Sequence, residues 1–230
     1  MISDIVSHMI EFKSNEHTTP GFLSRPASPG RYPGLVAIQE WWGLVPHIKD
    51  VAERFAHQGF ITLAPDLYHG QAASEPDEAR KLAMELDRER AVGEIQAAMR
   101  YLQGLEGIWP KKIGVIGWCM GGGLVVATMA ASREVGAGVA FYGGARNVEL
   151  VPEIRAPLLG LFGEEDHGIP VDMVHTFEQE LEERQVPHEI HIYSGAGHAF
   201  FNDSRPQIYD AAAAQDAWVR TLAWFRNYLR

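Results

Sequence analysis

Cysteine, positive charge and long apolar runs are all scarce in this sequence. A single cysteine among 230 residues cannot form an internal disulfide, so nothing points to an oxidising compartment. The formal net charge of -10 argues against nucleic acid, which binds to basic surfaces. No apolar run approaches the roughly 20 residues that cross a bilayer, and residues 1–12 lack the basic and apolar segments of a signal peptide. We therefore expect a soluble cytoplasmic protein with neither nucleic-acid nor membrane partners.

Short apolar runs alternate with helical patterns along the chain. Neither an internal repeat nor a low-complexity linker interrupts them, so we predict one domain over residues 1–230. The alternation indicates an α/β fold, with a mostly parallel twisted sheet and helices on both faces. An antiparallel hairpin is predicted first, over residues 5–12 and 18–24. The other predicted strands are 34–38, 60–64, 113–116, 139–142, 158–162 and 188–193. The predicted helices are 47–57, 77–105, 171–184 and 208–229, with another directly after residue 119.

The segment Gly117-Trp118-Cys119-Met120-Gly121 carries the strongest chemical signal. It follows a buried strand and precedes an apolar helix, and the small flanking residues allow a sharp turn between them. This pattern is the nucleophile elbow of α/β-hydrolases, with cysteine in place of serine. A helix that begins after Cys119 favours negative charge there, which suits a thiolate nucleophile. The alternative is that Cys119 is a small buried hydrophobic residue.

Two further residues follow predicted strands and complete a catalytic order. Asp166 follows strand 158–162 and His198 follows strand 188–193, so the chain order is nucleophile, acid, histidine. Parallel strands end at one edge of a sheet, where we expect these side chains to meet. His198 would then transfer protons and Asp166 would orient it. Glu164 or Glu165 could replace Asp166 as the acid, and His167 is the alternative histidine.

Several motifs accompany the elbow from one end of the chain to the other. They are Ile38-Gln39-Glu40-Trp41-Trp42-Gly43, Ala64-Pro65-Asp66-Leu67-Tyr68, Gly117 to Gly122, Tyr142-Gly143-Gly144, Asp166-His167 and Gly197-His198-Ala199-Phe200. With these motifs in order, the chain resembles the dienelactone hydrolase family over nearly its whole length. The resemblance implies an α/β-hydrolase fold and the hydrolysis of esters or lactones.

The resemblance also implies roles that spacing alone does not indicate. In the family, a glutamate at the position of Glu40 lies beside the thiol and takes part in forming the thiolate. A strand-end glutamate paired with a surface arginine is the alternative. The family further implies an oxyanion hole built from the backbone N–H groups of Trp41 and Met120. The Met120 donor is also expected because it follows the nucleophile.

The predicted substrate pocket departs from the family archetype. The archetype holds a substrate carboxylate with two arginines, whereas Asn202 stands at one of these positions. Pro76 aligns with the other, although Arg80, one helical turn later, could substitute for it. An uncharged amide makes no charge-assisted bidentate pair with a carboxylate. Aromatic side chains suggest a largely neutral pocket, with core packing as the alternative for each; they are Trp41, Trp42, Tyr68, Tyr142, Phe200 and Phe201.

A cysteine nucleophile restricts the substrate. Thiolate leaves more readily than an ordinary alkoxide, so Cys119 suits enol lactones and aryl esters, whose leaving groups are stabilised anions. We therefore expect an acyl-thioester mechanism on small-molecule esters or lactones, in a monomer or homodimer. We expect no cofactor and no metal, because His188 and His191 lie on opposite faces of their strand. Two alternatives remain: organophosphate triesters attacked by the same triad, and a non-enzymatic thiol sensor.

Overall fold

The structure is a computed structural model that describes residues 2–14 and 17–230. The chain divides into two compact units. The first comprises Met1–Val115 with Leu229–Arg230, and the second comprises Ile116–Tyr228. The prediction of a single domain over 1–230 stays a prediction.

The described part of the first unit, residues 2–14 and 17–115, contains four complete strands and three helices. The strands are β1 (Ile5–Ser14), β2 (His17–Pro26), β3 (Gly34–Ile38) and β4 (Ile61–Pro65), and the helices are α1 (Pro46–His57), α2 (Pro76–Glu85) and α3 (Arg88–Gly104). The strand order is β1-β2-β4-β3, in which β3 and β4 are parallel and the other pairs antiparallel. Every residue of β3 and β4 is buried, as their apolar runs predict. The predicted N-terminal hairpin is confirmed by β1 and β2.

The second unit continues the alternation of strands and helices. Strand β5 (Ile113–Trp118) spans the boundary between the units, and a 3₁₀ helix lies at Val148–Glu153. Strands β6, β7 and β8 are adjacent in that order and parallel. These elements are α4 (Met120–Ala131), β6 (Val135–Phe141), β7 (Leu158–Gly163), α5 (Val171–Glu183), β8 (His188–Tyr193) and α6 (Ala211–Tyr228). The prediction of an α/β fold with mostly parallel strands is confirmed.

The predicted single helix over 77–105 is wrong, because the structure has two helices there. Leu86 is extended, with φ -66° and ψ 116°, and it separates α2 from α3. Asp87 then caps α3 by accepting a hydrogen bond from the Arg90 backbone N–H at 3.1 Å. Leu86 is still buried, so the periodic spacing of apolar residues continues across the break. The sequence pattern therefore does not show that the helix is interrupted.

A side-chain cap also sets the start of the last helix. This helix begins at Ala211 and not at residue 208, because the Asp210 carboxylate accepts hydrogen bonds from the backbone N–H groups of Ala212 and Ala213, each at 3.0 Å. Both corrections show a short polar side chain overriding a periodic apolar pattern.

Candidate active site

Cys119 occupies a strained turn between β5 and α4. Its backbone has φ 54° and ψ -115°, a left-handed conformation that a residue with a Cβ rarely adopts. Glycines make the turn possible: a Cβ on Gly117 would collide with the backbone of Gly121, and one on Gly143 would collide with the Cys119 carbonyl oxygen. The Cys119 backbone N–H donates to the Phe141 carbonyl at 3.0 Å. The thiol is half-buried, so the predicted elbow geometry is present with cysteine at its tip.

Asp166 and His198 meet beyond the ends of β7 and β8. The His198 Nδ1 nitrogen lies 2.6 Å from Asp166 Oδ2, and since a carboxylate only accepts, Nδ1 carries the donated proton. The Asp166 side chain is 1% exposed. Its Oδ1 oxygen accepts from the backbone N–H groups of Gly168 at 2.8 Å and Ile169 at 3.1 Å. These contacts hold the carboxylate and orient the imidazole.

The alternative acids and the alternative histidine lie elsewhere. Glu164, Glu165 and His167 are all exposed. Glu164 accepts hydrogen bonds from Ser194 and Gly195, whereas the carboxylate bonded to His198 is that of Asp166. Among the candidate carboxylates at 164–166, Asp166 is therefore the one that the turn after β7 directs toward His198.

Electrostatics favour a charged form of His198. Burial acts to lower the pKa of His198, but hydrogen bonds to Asp166 and Cys119, together with the charges of both groups, raise it to about 10. One imidazole therefore contacts the candidate acid and the candidate nucleophile. This arrangement suits an imidazolium–thiolate pair, in which the second ring nitrogen is available for proton transfer.

A buried aromatic ring packs against His198, and further buried rings pack next to it. Tyr142, which has φ 35°, packs edge-on against His198 with ring centroids 5.1 Å apart. Phe200 packs against Tyr142 at 5.4 Å, and Phe201 lies 4.9 Å from Phe141. Tyr142, Phe200 and Phe201 are all buried. Their contacts with one another are those expected of core packing, and Tyr142 also contacts His198.

Asn202 closes the turn that follows His198. It is 2% exposed, and its Oδ1 oxygen accepts from the Ser204 backbone N–H at 3.1 Å and the Ser204 hydroxyl at 2.6 Å. The amide oxygen is thus engaged within its own loop. The motif Asn-Asp-Ser is typical of such a turn, so it favours a structural role for Asn202.

The first unit holds the other predicted pocket residues. Glu40 follows β3 and is 1% exposed. The rings of Trp41 and Trp42 meet edge-on with centroids 5.2 Å apart. The loop after β4 secures this segment, because the Tyr68 hydroxyl donates to the Trp41 carbonyl at 3.2 Å and the Ala73 N–H donates to the Trp42 carbonyl at 3.0 Å.

Arg80 is exposed to solvent, and Met120 lies at the start of a helix. Arg80 lies on α2 with its side chain 64% exposed, and it pairs with Asp77 at 3.2 Å. Met120 is the first residue of α4 and directly follows Cys119. Over residues 2–14 and 17–230, no cluster of three or more His, Cys, Asp or Glu side chains could hold a metal ion. No helix in the same ranges is both long and apolar enough to span a membrane.

Comparisons with known proteins identify the family of this chain. Residues 19–229 match the model of the dienelactone hydrolase family. A candidate carboxymethylenebutenolidase of Aquifex aeolicus is 32% identical, over 98% of this chain and all of its own. A candidate dienelactone hydrolase of Klebsiella pneumoniae has a similar structure, with TM-score 0.90, 28% identity and coverage of 98% of this chain and all of that one.

A further solved structure shares the fold at lower sequence identity. It is a dienelactone hydrolase-like promiscuous phosphotriesterase from metagenomic libraries, with TM-score 0.89 and 21% identity, covering 99% of this chain and all of that one. The family match extends over most of the sequence, and the structural similarity covers nearly all of it. The chain therefore belongs to the dienelactone hydrolase family and is an ester or lactone hydrolase with the α/β-hydrolase fold.

Proposed function

We propose that the protein hydrolyses activated esters or lactones through an acyl-thioester on Cys119. His198 transfers protons and Asp166 orients it. One observation carries this proposal: His198 is hydrogen-bonded to Asp166 at 2.6 Å and also to Cys119, at the tip of a strained turn. A small hydrophobic cysteine in the core would need neither the strained backbone nor a charged histidine partner.

The first half-reaction forms the thioester. The Cys119 thiolate attacks the acyl carbon, a carbon–sulfur bond forms, and the carbonyl electron pair moves onto oxygen. We propose that the backbone N–H groups of Met120 and Trp41 stabilise this oxyanion. The carbon–oxygen bond to the leaving group then breaks, and His198 donates its proton to the departing oxygen.

The second half-reaction releases the acid and frees Cys119 for another turnover. Water attacks the thioester carbon while His198 removes a proton from that water. The carbon–sulfur bond breaks, the carboxylic acid leaves, and Cys119 returns to thiolate beside the imidazolium. The pKa of His198, at about 10, keeps the imidazole protonated near neutral pH, so that it can supply a proton to the next leaving group.

Leaving-group chemistry selects the substrate. With a simple alkyl ester, the tetrahedral intermediate expels thiolate more easily than alkoxide, so substrate is regenerated. Aryl esters and enol lactones release stabilised anions, so their intermediates proceed to the thioester. We further propose an uncharged acyl group, since Asn202 carries no positive charge and Arg80 is exposed and paired with Asp77.

Glu40 has a role in this proposal that follows from family membership. We propose that it takes part in forming the thiolate when substrate binds. Its 1% exposure supports this role, because a carboxylate that pairs with a surface arginine would be expected at the surface. The hydrogen bond from Tyr68 to Trp41 fixes the backbone next to it.

A phosphotriester is the second candidate substrate. The specific observation in its favour is a solved structure of the same fold, at TM-score 0.89, described as a promiscuous phosphotriesterase. In this reaction the thiolate would attack phosphorus and expel an aryloxide, and water would then release the phosphoryl group from sulfur. A phosphoryl adduct of the protein after mixing with an aryl phosphotriester would support this reaction.

Replacing the nucleophile tests the function. We expect Cys119→Ala to abolish hydrolysis of p-nitrophenyl esters while wild-type and variant proteins unfold at similar temperatures. The rate should be measured on a panel of aryl esters, lactones and aryl phosphotriesters. A variant that keeps more than about half of the wild-type ester rate would exclude Cys119 as the nucleophile.

A further inference from the structure

Two loops carry the candidate acid and the candidate histidine. The acid loop (residues 164–168) follows β7, and the histidine loop (residues 194–198) follows β8. At their tips the loops are joined by the bond from His198 to Asp166. Nearer to the strands a second carboxylate joins them: Glu164 Oε2 accepts from the Ser194 hydroxyl at 2.7 Å and from the Gly195 N–H at 3.0 Å.

Backbone contacts bring the two loops close enough for this second connection. The Glu164 N–H donates to the Tyr193 carbonyl at 3.0 Å, and the Glu165 N–H donates to the Ala196 carbonyl at 2.9 Å. A Cβ on Gly163 would collide with the Ala196 carbonyl oxygen, so glycine permits the approach. The position of the histidine loop is therefore set by its contacts with the acid loop.

The Glu164 carboxylate is solvent-exposed, but its hydrogen bonds still define its state. The Ser194 hydroxyl, and after it the Gly195 N–H, lower the pKa of Glu164 below its ordinary value. Gly195 has φ 73°, a left-handed conformation that directs its N–H toward the carboxylate. Both hydrogen bonds therefore favour the ionised form of the Glu164 carboxylate, which accepts them.

We propose that Glu164 is a positioning residue, which holds the histidine loop against the acid loop and so keeps His198 Nδ1 in contact with Asp166. The inference rests on the proposed function, because it assigns Glu164 to the geometry of that triad. Glu164 touches neither His198 nor Cys119 in any contact that the structure shows, so its effect passes through the backbone of residues 194–198. Nothing in the catalytic chemistry requires a second carboxylate at this place.

Three variants separate the hydrogen bonds from the charge. Glu164→Ala removes the acceptor, whereas Glu164→Gln keeps a neutral oxygen that can still accept from Ser194 and Gly195. Glu165→Ala is the matched control, because Glu165 is the exposed neighbour of Glu164. Its substitution removes the same charge without breaking a side-chain bond between the loops. The readouts are the pKa of His198 from NMR titration, and kcat and KM for p-nitrophenyl acetate.

We expect Glu164→Ala to lower the pKa of His198 toward its ordinary value and to lower kcat by about tenfold, with KM changed by less than about twofold. Glu164→Gln should lie between wild type and Glu164→Ala, since a neutral acceptor makes a weaker bond. Glu165→Ala should match wild type in both readouts. A Glu164→Ala protein with the same His198 pKa and kcat as Glu165→Ala would overturn the proposal.

Fallback variants cover the case in which Glu164→Ala does not fold, and the activity of Cys119→Ala tests the proposed function separately. If Glu164→Ala does not fold, Ser194→Ala and Glu164→Gln replace it, and unchanged His198 pKa values in both would overturn the proposal. The NMR titration needs no turnover, so it can be measured in the wild-type protein whether or not Cys119 is the nucleophile. Full activity in Cys119→Ala would reject the proposed function, whereas a His198 pKa that depends on Glu164 would still support the positioning role.

Discussion

The Tyr68 hydroxyl donates to the Trp41 backbone carbonyl at 3.2 Å, which connects the loop after β4 to the segment that follows β3. The donor ring is buried, and the Ala73 N–H reinforces the connection by donating to the Trp42 carbonyl at 3.0 Å. Trp41 is a proposed oxyanion-hole residue, and its backbone direction depends on this support. The backbone of this proposed oxyanion-hole residue is therefore held by a side chain that takes no part in the proposed chemistry.

Tyr68→Phe should lower kcat with little change in KM, because it loosens the Trp41 backbone. Loss of one buried hydrogen bond should also lower the free energy of unfolding by about 1 kcal/mol. Tyr32→Phe is the control, since it removes a hydroxyl that donates to the Ser28 carbonyl, also at 3.2 Å, but at an exposed position. Steady-state kinetics and urea unfolding provide the measurements. Equal kinetic effects in both variants would contradict the support role.

The raised pKa of His198 makes stability depend on pH. Its pKa is about 10 in the folded chain against 6.5 for an ordinary histidine, so between these values the folded state keeps a proton that the unfolded state has lost. The stabilisation is present below 6.5 and disappears as pH rises through about 10. We expect the Tm to fall with rising pH across this window. In Asp166→Asn the fall should be shallower, and equal slopes in the two proteins would contradict the assignment.

Asp166→Asn should impair catalysis far more than folding. Asparagine cannot hold the Nδ1–H tautomer or stabilise the imidazolium as a carboxylate does, so we expect kcat to fall by about 10³–10⁴. Glu165→Gln, which changes the adjacent exposed carboxylate, should keep the wild-type kcat. The measurement is kcat for an aryl ester at neutral pH. A loss of less than about tenfold in Asp166→Asn would show that another group orients His198.

Gly143→Ala should destabilise the turn at Cys119. Its Cβ would collide with the Cys119 carbonyl oxygen and with backbone atoms of Gly122. We expect a loss of about 1–3 kcal/mol in the free energy of unfolding. Gly104→Ala is the control: it ends α3, nothing lies within 4 Å of its added Cβ, and it should leave stability unchanged or raise it. Urea unfolding of both variants measures the difference.

Much of the fold follows from apolar patterns that the sequence displays directly. Strands β3 and β4 are buried along their whole length, so their uninterrupted apolar runs predict them well. The apolar pattern does not reveal the break at Leu86, because this residue is buried and continues the apolar spacing of the helices on either side. The extended backbone of Leu86 and the hydrogen bond from the Arg90 N–H to Asp87 show that a second helix begins there.

The candidate site was less evident from sequence than the fold. The order of Cys119, Asp166 and His198 indicated the catalytic class, but three neighbouring carboxylates at 164–166 could each have been the acid. The choice depends on which one the turn after β7 directs inward, and the N–H groups of Gly168 and Ile169 determine that. Contacts between distant loops, such as Glu164 with Ser194, have no pattern in the sequence that would reveal them.

Trapping the covalent intermediate tests the thiol mechanism most directly. A p-nitrophenyl ester with a hindered acyl group should acylate the enzyme quickly and release the acid slowly, so the intermediate accumulates. Intact-protein mass spectrometry after rapid acid quenching should show one added acyl group, and peptide mapping should place it on Cys119. The adduct should be absent from Cys119→Ala and should decay at the rate of turnover. Turnover without an adduct, or an adduct on another residue, would contradict the mechanism.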